Sequence, residues 1–170
     1  FLSEIIGAQP IKGRHINMES LYEYGSRIGF WRLHKIFQEK KIPITIFGVG
    51  MALEKNPAIC KAIKNANYEV ASHGWRWIDY QNVKKSEERK HMKLAIKKIK
   101  KIFGERPLGW YTGRCSPNTR DLVFEDGGFL YDSDSYSDDL PYWEIRKKKK
   151  QLIIPSTLDN NDMRFATNQG

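Results

Sequence analysis

The chain has 170 residues and a mass of 19.9 kDa, the size of one domain with a core of its own. Hydrophobic residues make up 40% and aromatic residues 12% of the chain, which excludes an intrinsically disordered protein. Lysine and arginine exceed aspartate and glutamate, which gives a net charge of 29 − 20 = +9. No apolar run approaches the roughly 20 residues of a membrane span, so no membrane partner is expected.

The predicted elements alternate between helix and strand. Ser26 is expected to cap the first helix, and Asn56-Pro57 to begin the second. Between them, Gly48-Val49-Gly50 predicts a tight strand-to-helix turn, not a dinucleotide site, because Leu53 stands where the third glycine would be. In chain order the predictions are a helix over 26–41, a strand over 43–47, a helix over 56–66, a strand over 68–72, a helix over 86–103, a strand over 108–112, a short helix from 118, a strand over 129–132 and a strand over 152–154.

The later helices have start and stop signals of their own. Ser86 precedes acidic residues that suit the first turn of the long helix. Asn118 with Asp121 three residues later resembles a capping box, and Gly127-Gly128 is expected to close that short helix. These signals support the two helices as separate elements between strands.

The order of elements predicts the class of fold. Strands separated by helices indicate βαβ units and a largely parallel α/β sheet. Polar residues gather after three strands, over 72–74, 112–114 and 132–134. A (β/α) barrel builds its site from several strand ends, whereas an open sheet binds its ligand at one switch point. Three such strand ends favour a barrel, truncated at this length.

The lysine-rich segments are best explained as solvated surface. On the long helix, five lysines lie opposite an apolar stripe at amphipathic spacing. The basic run over 146–150 lies between strand-like segments over 142–145 and 152–154, and is expected to form a hairpin tip. Nucleic acid is therefore not expected as a partner.

The two cysteines indicate a reducing compartment. Cys60 and Cys115 form no CxxC motif, which excludes a disulfide scaffold and a cysteine-based zinc finger. We expect two reduced thiols in a cytoplasmic protein. Because the chain starts at Phe1 without an initiator methionine, we also expect it to be a fragment of a longer protein.

Several polar side chains are candidates for chemistry. His73 ends an apolar strand beside two tryptophans, where it is either a general acid or base or a structural residue. Arg114 suits an oxyanion or a carboxylate, or else a salt bridge to the acidic cluster over 132–139. That cluster either serves a cation, an arginine or a polar ligand, or caps a turn. His34 and His91 are expected at the surface.

Together these segments resemble the polysaccharide deacetylase (NodB-homology) superfamily, and in detail its metal-independent allantoinase branch. The resemblance runs over the whole chain. The stretches that carry it are Tyr22-Glu23-Tyr24-Gly25-Ser26-Arg27, Gly29-Phe30-Trp31-Arg32, Ala71-Ser72-His73-Gly74-Trp75-Arg76-Trp77-Ile78-Asp79-Tyr80, Gly104-Glu105-Arg106-Pro107-Leu108-Gly109-Trp110-Tyr111-Thr112-Gly113-Arg114, Ser116-Pro117-Asn118-Thr119, Tyr131-Asp132-Ser133-Asp134-Ser135-Tyr136 and Asp138-Asp139-Leu140-Pro141-Tyr142-Trp143.

The resemblance implies a deformed (β/α)7-type barrel, here truncated at both ends, with residues 1–170 as one partial catalytic domain. Deacetylases of this superfamily hold a divalent metal with an Asp-Asp motif and a His-x-x-x-His motif. The second motif corresponds to His73 and Trp77, and an indole has no lone pair for a metal. A three-ligand zinc site cannot be assembled there. No metal and no cofactor are therefore expected.

The implied reaction opens the hydantoin ring of allantoin to allantoate, in purine catabolism. His73 is expected to act as acid or base, and Arg114 either to stabilise the developing charge or to hold the ureido group. Asp134 is predicted as a third catalytic residue, and Asp134 and Glu23 are candidates for binding the ligand's N–H groups. The other predicted substrate-binding residues are Tyr24, Trp75, Trp77, Trp110, Ser116 and Asp132.

Two other functions stay open at this point. One is a metal-dependent deacetylase of N-acetylated polysaccharide or peptidoglycan, which needs ligands from outside this chain. The other is a non-catalytic barrel that only binds a ligand. The expected partners are a small-molecule substrate and, by the resemblance, other copies of the protein in a homotetramer.

Overall fold

A computed structural model describes residues 12–146, 148–157 and 160–161. These residues belong to two compact units. The first unit holds the described residues up to 45 together with 56–69, and the second holds 46–55 and the described residues from 70 onward. Within the described ranges, no helix has both the length and the apolar character that a membrane crossing requires.

Six helices and six strands are described, together with one short π-helical segment. The chain order places a helix after each of the first three strands, as the alternation of patterns predicts. The elements are α1 (Ile16–Tyr24), the π-helical segment (Gly25–Gly29), α2 (Phe30–Lys40), β1 (Thr45–Gly48), α3 (Gly50–Lys55), α4 (Pro57–Asn65), β2 (Glu69–Ser72), α5 (Lys85–Phe103), β3 (Gly109–Trp110), α6 (Thr119–Asp126), β4 (Tyr131–Asp132), β5 (Tyr142–Arg146) and β6 (Lys149–Ile153).

The strands form one sheet in the order β1-β2-β3-β4-β6-β5. β2 pairs with β3, β3 with β4, and β4 with β6, all in parallel. Only the pairing of β5 with β6 is described as antiparallel, and the predicted hairpin is confirmed. The prediction that the basic run over 146–150 forms its tip is wrong, because Arg146 pairs with Lys149 and Ile145 with Lys150 within the strands. The α/β class with a mainly parallel sheet is confirmed by the parallel pairings. In such a sheet the carboxyl ends of neighbouring strands meet at one edge, where sites form.

The core of the second unit is built on the apolar stripe of α5. Met92, Ala95 and Ile99 of this helix are buried, as its periodicity predicts. Met92 belongs to a cluster with Trp110 of β3 and Phe129, which precedes β4. This packing anchors the two central strands beneath the edge that carries the polar residues.

The prediction that Ser26 begins the first helix is wrong. That helix begins ten residues earlier at Ile16, where the backbone N–H of Met18 donates to Nδ1 of His15 at 3.4 Å. Ser26 lies in the π-helical segment, and its hydroxyl donates to the carbonyl of Glu23 at 3.1 Å. The helix continues through this point because an extra residue in one turn is absorbed as a π-bulge.

The capping box at α6 is also wrong. Asn118 occupies the N-cap position, but its side chain makes no capping hydrogen bond. Asp121 instead forms an ion pair with Arg146 at 2.7 Å. Gly127 ends the helix in a left-handed conformation with φ of 68°, as predicted.

The two helical histidines are less exposed than expected. His34 is half-buried, and its Nδ1 lies 3.1 Å from the hydroxyl of Tyr68. The His91 side chain is 14% exposed, and its Nδ1 lies 3.0 Å from the hydroxyl of Tyr80. The surface prediction was wrong for His91 because its helical face is shared with Glu88, which is buried.

Candidate active site

The sheet register brings together the three polar strand ends predicted from the sequence. Ser72 of β2 is level with Trp110 of β3, and Trp110 is level with Asp132 of β4. The residues that follow, over 73–74, 111–114 and 133–134, therefore leave the sheet side by side. This carboxyl edge is the candidate active site.

His73 is held in one orientation by the neighbouring strand. Its Nδ1 lies 2.6 Å from the carbonyl oxygen of Tyr111. A carbonyl only accepts, so Nδ1 carries the proton and the neutral ring has its free lone pair on Nε2. Burial is the largest influence on the His73 ring and lowers its pKa, against smaller opposing effects of the Tyr111 carbonyl and the Asp134 charge. The ring is thus suited to take up a proton at Nε2.

Sequence reasoning did not assign three aromatic residues to the site: two lie beside this histidine, and the third contacts one of them. The Tyr111 ring stacks on His73 with centroids 5.2 Å apart, and the half-exposed Phe47 lies 5.1 Å from Tyr111. The Tyr111 hydroxyl is 2.9 Å from the hydroxyl of Tyr136. Burial raises the pKa of Tyr111, which keeps its hydroxyl protonated. The available signal was position, because Phe47 and Tyr111 each lie at a strand end.

Asp134 orients the loop after β3. Its carboxylate accepts from the backbone N–H groups of Thr112 at 2.9 Å and Gly113 at 2.8 Å, and from the Thr112 hydroxyl at 2.9 Å. Gly113 has φ of 69°, which allows the tight bend that presents both N–H groups. This is the turn-capping alternative for the acidic cluster, and it occupies both oxygens of Asp134.

Arg114 lies over an aromatic ring and not against the acidic cluster. Its guanidinium carbon is 4.8 Å from the Trp77 ring centroid, in a cation–π contact. Among the described residues, no carboxylate lies within ion-pair distance of it, so the salt-bridge alternative is not observed. The Arg114 carbonyl accepts from the Tyr80 backbone N–H at 3.1 Å. The contact leaves the charge of Arg114 free for a ligand.

Three other predicted binding residues are buried. Trp110 is 2% exposed within the core cluster, and Ser116 is 7% exposed with its hydroxyl donating to Glu88. Asp132 is fully buried, accepts from the Asp134 N–H at 2.9 Å, and lies 3.8 Å from Arg120. Burial and the nearby charge of Asp134 raise the pKa of Asp132 to about 6. These side chains support the candidate site from within the second unit.

The remaining predicted residues are partly or fully exposed. Trp75 and Trp77 are half-buried in the segment after His73. Glu23 and Tyr24 belong to the first unit, where Glu23 pairs with Arg27 at 3.4 Å and the Tyr24 hydroxyl accepts from Arg32 at 3.0 Å. A role for Glu23 and Tyr24 in binding stays a prediction.

Comparison with known proteins places the chain in a family. The sequence profile described as "Polysaccharide deacetylase" matches residues 18–123, more than half of the chain. This chain belongs to the polysaccharide deacetylase family. Its fold is therefore the NodB type, which agrees with the parallel-rich sheet.

Individual relatives of this deacetylase-family chain differ in their described functions. The crystal structure of Puue allantoinase is 56% identical, with a TM-score of 0.93 over 100% of this chain and 57% of that one. A probable polysaccharide deacetylase from Pseudomonas aeruginosa PAO1 is 55% identical, with the same TM-score, over 100% of this chain and 58% of that one. A protein of Schizosaccharomyces pombe with the provisional name polysaccharide deacetylase is 41% identical, over 100% of this chain and 59% of that protein. The chain thus spans less than two thirds of these relatives.

The donor atoms near His73 do not fit the metal site of a typical deacetylase. Trp77 offers no lone pair, and both oxygens of Asp134 are occupied by hydrogen bonds. Within the described part of the chain, no group of three histidine, cysteine, aspartate or glutamate side chains is placed to hold a metal ion. A zinc site with three protein ligands is not formed by these residues.

Proposed function

We propose that the protein is a hydrolase of this family that opens the cyclic amide of allantoin, acting on a carbon–nitrogen bond without a metal. The observation that carries the proposal is the environment of His73, a neutral base with no second metal ligand at Trp77. The 56% identity to Puue allantoinase over the whole chain supports the substrate. A place in purine catabolism and a cytoplasmic location follow as predictions.

His73 would remove a proton from water as it attacks the ring carbonyl. The base must carry its lone pair at Nε2, and the bond from Nδ1 to the Tyr111 carbonyl holds that tautomer. The ring nitrogen of the substrate then leaves with a proton, which the His73 imidazolium returns from Nε2. Protons and charge balance over the two steps.

Arg114 would stabilise the negative charge that develops on the carbonyl oxygen. A fixed cation is effective where burial limits competition from water. The stack on Trp77 restricts the guanidinium before substrate binds. Trp75 and Trp77 would contact the flat ring of the substrate, and Asp134 would act by orienting the loop that carries Arg114. Glu23 and Tyr24 stay candidates for contacts with substrate N–H groups.

The decisive experiment replaces His73 by alanine in the full-length protein and measures allantoin turnover. We expect kcat/KM to fall about a hundredfold or more, because a general base contributes at least that much. Since its pKa is lowered, the wild-type enzyme should lose kcat/KM with acid only below pH 6.5, as His73 becomes protonated. His15→Asn is the matched control, because asparagine also suits the N-cap of α1. A loss below tenfold in His73→Ala would contradict the base role.

A second candidate is deacetylation of an N-acetylated polysaccharide or peptidoglycan. The names of several relatives favour it, including a peptidoglycan deacetylase of Helicobacter pylori that is 28% identical over 82% of this chain. It requires metal ligands from outside the described residues. Acetate release from chito-oligosaccharides, without allantoin turnover, would establish it in place of the first proposal. Assembly into a homotetramer is proposed for either activity.

A further inference from the structure

A buried carboxylate on α5 forms hydrogen bonds with the segment that follows Arg114. Glu88 is 2% exposed, although it is a charged residue type that is rarely buried without partners. The Ser116 hydroxyl donates to its Oε2 at 2.5 Å, and the Thr119 hydroxyl donates to its Oε1. One side chain therefore joins α5 to both ends of the turn that leads into α6.

The hydrogen-bond pattern explains why a carboxylate is needed. The Ser116 hydroxyl already accepts from the Asn118 N–H at 2.9 Å, and the Thr119 hydroxyl accepts from the Ser116 N–H at 2.8 Å. Each hydroxyl proton thus needs an acceptor, and a carboxylate supplies one on each oxygen. A glutamine would satisfy one hydroxyl and direct an N–H at the other, which buries an unsatisfied donor.

Arg114 lies two residues before this turn and is restrained on its other side as well. Its carbonyl accepts from Tyr80, and its guanidinium lies over Trp77. We propose that Glu88 is a positioning residue that sets the place of Arg114 through the Ser116–Thr119 turn. This inference rests on the proposed function of Arg114, and it concerns a residue that touches no substrate.

The first test reads the loop without any substrate. Cys115 lies between Arg114 and Ser116, with its sulfur 3.4 Å from the Thr112 hydroxyl and a thiol whose pKa is raised by burial to about 12. A thiol in that state reacts slowly with Ellman-type reagents. In the full-length protein, Glu88→Gln should raise the labelling rate of Cys115, followed by peptide mass spectrometry, about tenfold. Glu54→Gln is the matched control, since this half-exposed carboxylate also pairs with a residue of α5, Lys98, but lies outside the Ser116–Thr119 turn.

The second test asks whether Glu88 acts through Arg114. Glu88→Gln should lower kcat/KM for allantoin about 10- to 100-fold, the range expected for a misplaced catalytic group. In an Arg114→Ala background the same change should cost less than about twofold, because its target is gone. Thr119→Ser should keep the activity and Thr119→Val should lose it, since only serine preserves the hydroxyl.

The outcomes separate this inference from the proposed function. Equal losses from Glu88→Gln in both backgrounds, or unchanged labelling of Cys115, would overturn the positioning role. Wild-type protein that does not turn over allantoin would reject the proposed function. In that case the labelling rate of Cys115 still decides whether Glu88 places the loop.

Discussion

At the scale of a single residue, Asp132 is a carboxyl group whose charged form is disfavoured by its surroundings. Its carboxylate is fully buried, and one of its oxygens, Oδ2, has no hydrogen-bond partner. Arg120 approaches that oxygen only to 3.8 Å. Burial and Asp134 therefore outweigh Arg120, and the pKa of Asp132 rises from 3.8 to about 6. The folded state binds a proton at this carboxyl more tightly than the unfolded chain does.

The raised pKa of Asp132 makes the free energy of unfolding depend on pH. A group with a raised pKa contributes stability that is present below the unfolded pKa and is lost as pH rises through about 6. The Asp132→Asn variant cannot titrate at this position. From pH 4 to pH 8, wild type should lose roughly 2–3 kcal/mol of stability that the variant does not lose. The free energy of unfolding of the variant minus that of wild type should therefore rise by this amount. Urea denaturation at the two pH values measures this, and a difference that does not change with pH would refute it.

At the scale of the secondary-structure element, the pairing of β3 with β4 depends on a glycine, Gly109. Gly109 is level with Tyr131, and a Cβ at Gly109 would lie 2.1 Å from the tyrosine ring. The ring therefore covers the space that a side chain would need. The β3 strand is only two residues long, so a shift there also moves the loop that follows with Tyr111 and Arg114.

Gly109→Ala should destabilise the protein by about 1–3 kcal/mol or more, because backbone or ring must move to admit the methyl group. The matched control is Gly25→Ala in the π-helical segment. Gly25 has φ of −54°, and no atom lies within 4 Å of the place that an alanine methyl group would take, so alanine should be neutral or stabilising by about 0.5–1 kcal/mol. Thermal unfolding of both variants compares them, and a stable Gly109→Ala would show that β4 repacks freely.

At the scale of the whole molecule, the sheet register determines which side chains surround His73 in the candidate site. Beside His73, the Tyr111 carbonyl accepts from the histidine ring. The Asp134 carboxylate accepts from the N–H groups of Thr112 and Gly113. If the proposed function holds, EDTA dialysis of the full-length protein should leave allantoin turnover within about twofold of the untreated value, since the proposed mechanism uses only a base and a fixed cation. Elemental analysis of the same sample provides the control. A stoichiometric metal, lost together with activity, would reverse the proposal.

Local patterns in the sequence determined the alternation of helices and strands, the apolar stripe of α5 and the β5–β6 hairpin, since each depends on residues a few positions apart. Position after strands singled out His73 and Arg114, and the resemblance supplied the reaction in which they are expected to act. Only the tertiary structure decided how these side chains are held. The His73–Tyr111, Glu88–Ser116 and Asp134–Thr112 contacts join residues 38, 28 and 22 positions apart. Such contacts are set by strand register and by the packing of α5, which no local spacing encodes.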